Sequence, residues 1–146
     1  MKRQLLSRAS TILIVVCLSG CAMTTPYGPA SESWKGGYEN TKLADDQYNV
    51  AFYANGFTSP VRAKDYFLYR CAELTQQQGY DYFVVISGDM IVNYSVVGSG
   101  SGASTVSKPS YSGTIKLRKG KTPANNPNAY NAKEIIKNIG PEIERQ

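Results

Sequence analysis

The sequence predicts an α+β fold: a small, mainly antiparallel sheet of about four strands with two helices packed on one face, after a signal peptide and a flexible tether. Three observations predict it. Tyr48, Val50, Phe52 and Ala54 fall at every second position, the period of a half-buried strand. Ala63, Phe67, Cys71 and Leu74 recur at spacings of four, four and three, the period of a helix that buries one stripe. Tyr82-Phe83-Val84-Val85-Ile86 is an aromatic and β-branched run too short for a helix, as a central strand would be.

Residues 1–20 open with Lys2, Arg3 and Arg8, continue through the apolar run Ile12-Leu13-Ile14-Val15-Val16-Cys17-Leu18, and end on Ser19-Gly20 before Cys21. That order of basic, apolar and small residues predicts a secretory signal peptide. The apolar run is well short of the roughly 20 residues a spanning helix needs. From Cys21 to residue 47 the composition is polar, with Pro, Gly, Ser and Thr and only isolated apolar points, which predicts a tether lifting the folded part away from its attachment. Within it, Gly36-Gly37-Tyr38 suits a turn and an aromatic docked on the sheet.

A single domain is then expected over residues 48–146. The first strand ends at Asn55-Gly56. Ser59-Pro60 starts a helix, Ser59 as N-cap and Pro60 where its missing N–H costs nothing, and Gly79 ends it. Ser87-Gly88-Asp89 has turn composition, so residues 82–86 and 90–97 are expected to pair as a hairpin. Gly98-Ser99-Gly100-Ser101-Gly102 and the polar residues to Ser110 predict a mobile loop. Tyr111 to Arg118 alternates, Ile115 and Leu117 facing inward and Lys116 and Arg118 outward. Ala132, Ile135, Ile136 and Ile139 predict a short second helix ending near Gly140-Pro141.

Composition narrows the chemistry. The chain has 146 residues, 16 Lys plus Arg against 11 Asp plus Glu, and no histidine. Removing Lys2, Arg3 and Arg8 with the signal peptide leaves 13 basic against 11 acidic residues, a balance of +2 that disfavours nucleic acid as a partner. Without histidine there is no Ser-His or Cys-His nucleophile, and the commonest metal ligand is missing. No cofactor or metal is expected. Gly98-x-Gly100-x-Gly102 lacks the phosphate-loop spacing, Gly120-Lys121-Thr122 lacks the upstream glycine of a Walker sequence, and Asp45-Asp46 is too sparse for a calcium loop. Cys71 reads as a small core residue, and Asp81 and Asp89 as turn residues; a carboxylate-dependent hydrolase would need Asp81, Asp89 or Glu73 joined in a cleft.

Binding is the better reading, since aromatic rings with polar tips suit protein and glycan surfaces. The candidate surface comprises Trp34, Tyr38 and the cations Lys116, Arg118, Lys119 and Lys121, the plainer alternative being sheet-packed aromatics and a solvated strand end. Arg70 and Glu73, three apart on the helix, are placed to pair or to reach the sheet rim.

Two resemblances carry further expectations. Leu18-Ser19-Gly20-Cys21 resembles the lipobox of bacterial lipoproteins, which implies cleavage between Gly20 and Cys21 and diacylglycerol on the Cys21 thiol; the competing reading is a secreted protein cleaved nearby with an unmodified thiol. With Ala22 in place of the Asp of inner-membrane retention, the resemblance implies the outer membrane. Gly36-Gly37-Tyr38, then Val50-x-Phe52-x-x-Asn55-Gly56-Phe57-Thr58, Tyr66-x-Leu68-x-Arg70-Cys71-Ala72-Glu73-Leu74-Thr75 and Gly79-Tyr80-x-Tyr82-Phe83, is similar to a family of small proteobacterial lipoproteins with no assigned function. It covers residues 21 to about 90 and departs at Cys71, where the family pattern has Ala. The expectation is a non-catalytic, lipid-anchored module facing the periplasm and binding an envelope protein, or alternatively peptidoglycan or lipopolysaccharide.

Overall fold

The computed structural model describes residues 23–145. Cys17, Gly20 and Cys21, and with them the signal-peptide and lipidation expectations, lie outside the described residues. The chain forms β1 (Gly37–Ala44), β2 (Gln47–Tyr53), α1 (Pro60–Gln77), β3 (Tyr82–Val97), β4 (Ser104–Arg118), β5 (Ala129–Asn131) and α2 (Ala132–Ile139). The strands make one antiparallel, curled sheet in the order β1-β2-β4-β3-β5, and both helices pack against it, so the fold is α+β.

The expected helix and alternations are realised. Ser59 caps α1 by accepting from the Arg62 amide at 3.2 Å, Pro60 occupies the first turn, and Gly79 follows the end with φ +75°. Ala63, Phe67, Cys71 and Leu74 are buried against Val50, Phe52, Phe83, Ile115 and Leu117 from the covered face of the sheet. Asn131 caps α2 by accepting from the amides of Lys133 and Glu134, while Ala132, Ile135, Ile136 and Ile139 turn toward the same core.

Four expectations are corrected. The stretch from Thr25 to Gln47 is folded, not a tether, and the domain therefore starts well before residue 48: β1 pairs with β2 from Gly37↔Tyr53 to Ala44↔Gln47, Thr25 is fully buried, and Tyr27 is a core residue. The sheet has five strands rather than about four, because β1 and β5 are added and residues 82–97 are one strand. Ser87-Gly88-Asp89 is not a hairpin turn. The pairing steps from Val85↔Ile115 to Ser87↔Thr114, so Ile86 is the extra residue of a bulge that bends β3 without ending it. Gly113 accommodates that bend, since a Cβ there would stand 2.5 Å from the Ser87 carbonyl oxygen and 3.2 Å from Phe67. Last, the expected mobile loop from Gly98 to Ser110 is mostly strand: β4 begins at Ser104 and pairs with β3 as far as Val97↔Ser104, leaving only residues 98–103 as the turn.

Beyond Asp89, β3 and β4 outrun the helices. From Val92↔Pro109 outward, past the last β2 pair at Tyr53↔Ser110, they form a two-stranded arm in which Tyr94, Val96 and Val97 are exposed. Ala54 donates its amide to the Pro109 carbonyl at 3.0 Å, and a side chain on Gly56 would collide with Val106, so the arm passes the loop at residues 54–57 and its tip lies past it.

Candidate functional site

The sequence-derived surface is not one surface. Trp34 stands beside Gly36 and Gly37, which adjoin Tyr53, and Tyr53 lies opposite Ser110 near the base of the arm. The cations begin at Lys116, opposite Gln47, and Arg118, opposite Tyr82, at the other end of β4. Eight residues of strand separate Ser110 from Arg118, about 27 Å at roughly 3.4 Å per residue. By register Tyr38 lies at the Trp34 end, opposite Phe52 and one row from Tyr53, but it faces the core. It is half-buried on the covered face, its ring 5.1 Å from that of Tyr27 and beneath the Arg70 guanidinium at 4.3 Å.

At the cationic end the charges are partly neutralised. Asp46 pairs with Arg118 and stands 3.9 Å from Lys116, while Lys119 lies 5.8 Å from the centre of the Tyr80 ring. Asp81 accepts from the Gly120 amide at 2.7 Å and so fixes the turn that carries Lys119 and Lys121. A shallow hollow of about 270 Å3, lined by Asp81, Gly120, Lys121, Asn131 and Lys133, opens beside it. Polar, cationic and wide, it suits an anionic surface better than a small apolar molecule.

The most interconnected polar group lies elsewhere. Tyr27 donates its hydroxyl to Glu73 Oε2; Arg70 donates to the same oxygen at 3.4 Å and through Nε and Nη2 to Asn40 Oδ1 at 3.1 and 2.7 Å; Arg145 donates to Tyr69 at 2.9 Å. Burial, reinforced by the hydrogen bond to Glu73, pushes the Tyr27 hydroxyl far above the ordinary phenol range. The expected Arg70–Glu73 pair is therefore present, with Arg70 also reaching β1. The group ties four pieces together: the N-terminal segment, β1, α1 and the C-terminal residues. Its single carboxylate, Glu73, is shared by Tyr27, Arg70 and Arg145, so its oxygens are already taken, which fits a lock better than a reaction centre.

The carboxylates of the hydrolase reading are dispersed. Asp81 precedes Tyr82 at the cationic end, Asp89 lies opposite Ser112 well along β3, and Glu73 is held by Tyr27 and Arg70. Cys71 is fully buried, and desolvation drives its thiol well above the usual range. Among the described residues, no group of three or more acidic or cysteine side chains is placed to hold a metal ion. Sequence reasoning did miss Asp65. Burial and then the nearby Glu142 raise its carboxyl in a hollow of about 200 Å3 lined also by Ser59, Arg62, Tyr66 and Ile139. Its position on the solvent side of the α1 stripe concealed it, because the hollow is closed by the C-terminal turn after α2. No protein-family model, no curated protein and no solved structure matches the chain.

Proposed function

We propose that the chain is an outer-membrane lipoprotein without catalytic activity, whose domain is a binding module of the cell envelope facing the periplasm. One observation carries the reading. The basic, apolar and small-residue order of residues 2–20 ends on Leu18-Ser19-Gly20-Cys21, and the chain is built into a folded domain from Thr25 onward. Two or three acyl chains on one cysteine satisfy the condition for stable anchoring, so no spanning segment is required. Among the described residues no helix is long and apolar enough to cross a membrane.

The partner surface is the cationic end with Lys119, Lys121 and Lys133, which lies at the opposite end of the sheet from the N-terminal exit. An acidic envelope protein fits it best. Peptidoglycan, also anionic, is the second reading, favoured by Tyr80 beside Lys119 and by the openness of the hollow to a polymer. A photo-crosslinking residue in place of Lys121 in the full chain, expressed in cells, tests both. A discrete protein adduct supports the leading reading and a glycan ladder the second; absence of either adduct at Lys121, Lys119 and Lys133 alike would refute the assignment of this face.

A further inference from the structure

The way the N-terminal segment enters the domain fixes the orientation of a lipid-anchored chain. Thr25 donates its amide to Thr58 Oγ1 at 2.8 Å and its hydroxyl to the Lys35 carbonyl at 3.0 Å, and it accepts from the Asn55 amide at 2.7 Å. Asn55 Nδ2 also donates to the Met23 carbonyl at 3.0 Å. Cys21 stands only two residues before Met23, a reach of about 7 Å. The first described residue, Met23, is therefore held beside the loop at residues 55–58, and an attachment at Cys21 would lie within that reach of it.

That end of the molecule exposes large apolar side chains, beside the Arg62–Glu144 ion pair that Thr24 joins. Met23 is 55%, Trp34 92% and Phe57 63% exposed, and Lys35 reaches over them with its ammonium 3.6 Å from the Met23 sulfur and 5.5 Å from the centre of the Trp34 ring. The β3–β4 arm passes the same loop, at Val106 beside Gly56, and ends past it. No charged residue stands between Asp89 and Lys108, and Tyr94, Val96 and Val97 are exposed there. The Lys116–Lys121 cations lie at the far end of β4.

We propose that this end docks on the membrane leaflet holding the Cys21 lipid, with Trp34 and Phe57 at head-group level and the arm tip entering the interface through Tyr94, Val96 and Val97. The proposal rests on the lipid anchor proposed above. Trp and Tyr favour the interface because one end of each ring is apolar and the other polar, and Lys35 adds a cation at phosphate level. The uncharged arm incurs no cost of burying an ion. Both edges of the two-stranded arm present unpaired N–H and C=O groups, which hydrocarbon cannot satisfy, so the arm lies in the head-group region and does not span.

Trp34 is the single tryptophan, which makes it a direct probe. The full-length processed protein is reconstituted in phosphatidylethanolamine–phosphatidylglycerol vesicles, its intact mass is recorded, and Trp34 emission is compared with and without lipids brominated near the head group. The expected result is lipid mass on the protein, a blue-shifted emission and loss of most of that emission to the brominated lipid. In a Trp34→Phe background, Tyr94→Trp should be quenched in the same way, and Lys121→Trp, at the other end, should not. If the protein carries lipid while Trp34 and Tyr94→Trp stay red-shifted and open to acrylamide, docking is overturned and the anchor stands. Shielding from acrylamide without quenching by brominated lipid would mean that a second copy or another protein covers this face, which also overturns it. If no lipid mass is found, the anchor fails and the docking proposal fails with it.

Discussion

Tyr27 shows how one side chain can close a domain. Its ring packs against Tyr38, Phe52, Tyr66 and Tyr69, with centroid separations from 5.1 to 6.5 Å, and its amide donates to the Glu144 carbonyl. Tyr27→Ala should cost about 3–5 kcal/mol in urea unfolding, the usual range for emptying a large buried aromatic site. Tyr27→Phe keeps the ring and removes only the hydroxyl bonded to Glu73, so about 1–2 kcal/mol is expected. The pH dependence follows from the direction of its shift. The folded-state value lies above the ordinary 10.0, so the fold favours the neutral phenol, and this contribution is complete below pH 10 and lost as pH rises beyond it. Urea midpoints of wild type and Tyr27→Phe should therefore converge above pH 10. Asp65 has the same sign at the acid end: its raised carboxyl penalises the ionised form at neutral pH and ceases to do so once protonated. Asp65→Asn should raise the melting temperature at pH 7, with the gain vanishing as pH falls below 3.8, the ordinary value. None of this was legible at residue level, because an isolated Tyr in a Pro- and Gly-containing stretch has no period to reveal its burial.

At the scale of elements, what the sequence made legible was what repeats. The β2 alternation and the α1 stripe follow from one side being covered, and Ser59 identified the helix start through the chemistry of its cap. Ser59→Ala should cost about 1 kcal/mol, measurable by chemical denaturation. The strand β1 was hidden because it is an edge whose side chains from Glu39 to Ala44 are exposed; backbone pairing to β2 holds it, helped by Tyr38 on the core and Arg70 bonded to Asn40. The β3 bulge was hidden because Ser-Gly-Asp composes turns and bulges alike. The arm was hidden because its strands are paired to each other and cover little beyond the contact of Val106 with Gly56. It follows that the arm is dispensable for folding. Asn93 and Lys108 are register partners, and joining them by Asn-Gly in place of residues 94–107 creates a two-residue hairpin that leaves the buried Pro109 intact. This truncation should shift the melting temperature by no more than a surface substitution would, about 0.5 kcal/mol in equivalent stability. A collapse of the fold would show that the arm packs more than its exposure indicates.

For the whole molecule, the sheet has two ends with opposite chemistry. One gathers the chain exit, Met23, Trp34, Phe57 and the uncharged arm; the other gathers Lys116, Arg118, Lys119 and Lys121 around Asp46 and Asp81. The sequence contained both sets but not their separation, since only the register of β4 places Trp34 and Lys121 far apart. A tether of the length expected from composition would have left the domain free to turn. The observed fold leaves one residue, Ala22, between Met23 and Cys21, so on the proposed anchor an acylated Cys21 would hold the apolar end against the membrane and turn the cationic end away from it. Everything at this scale depends on the state of Cys21. The decisive measurement is the mass and sequence of the N-terminal peptide released from the cell-derived mature protein. The account predicts a peptide beginning at Cys21 and carrying acyl chains, lost in Cys21→Ser together with membrane association. A mature protein that begins elsewhere, or at an unmodified Cys21, would contradict it.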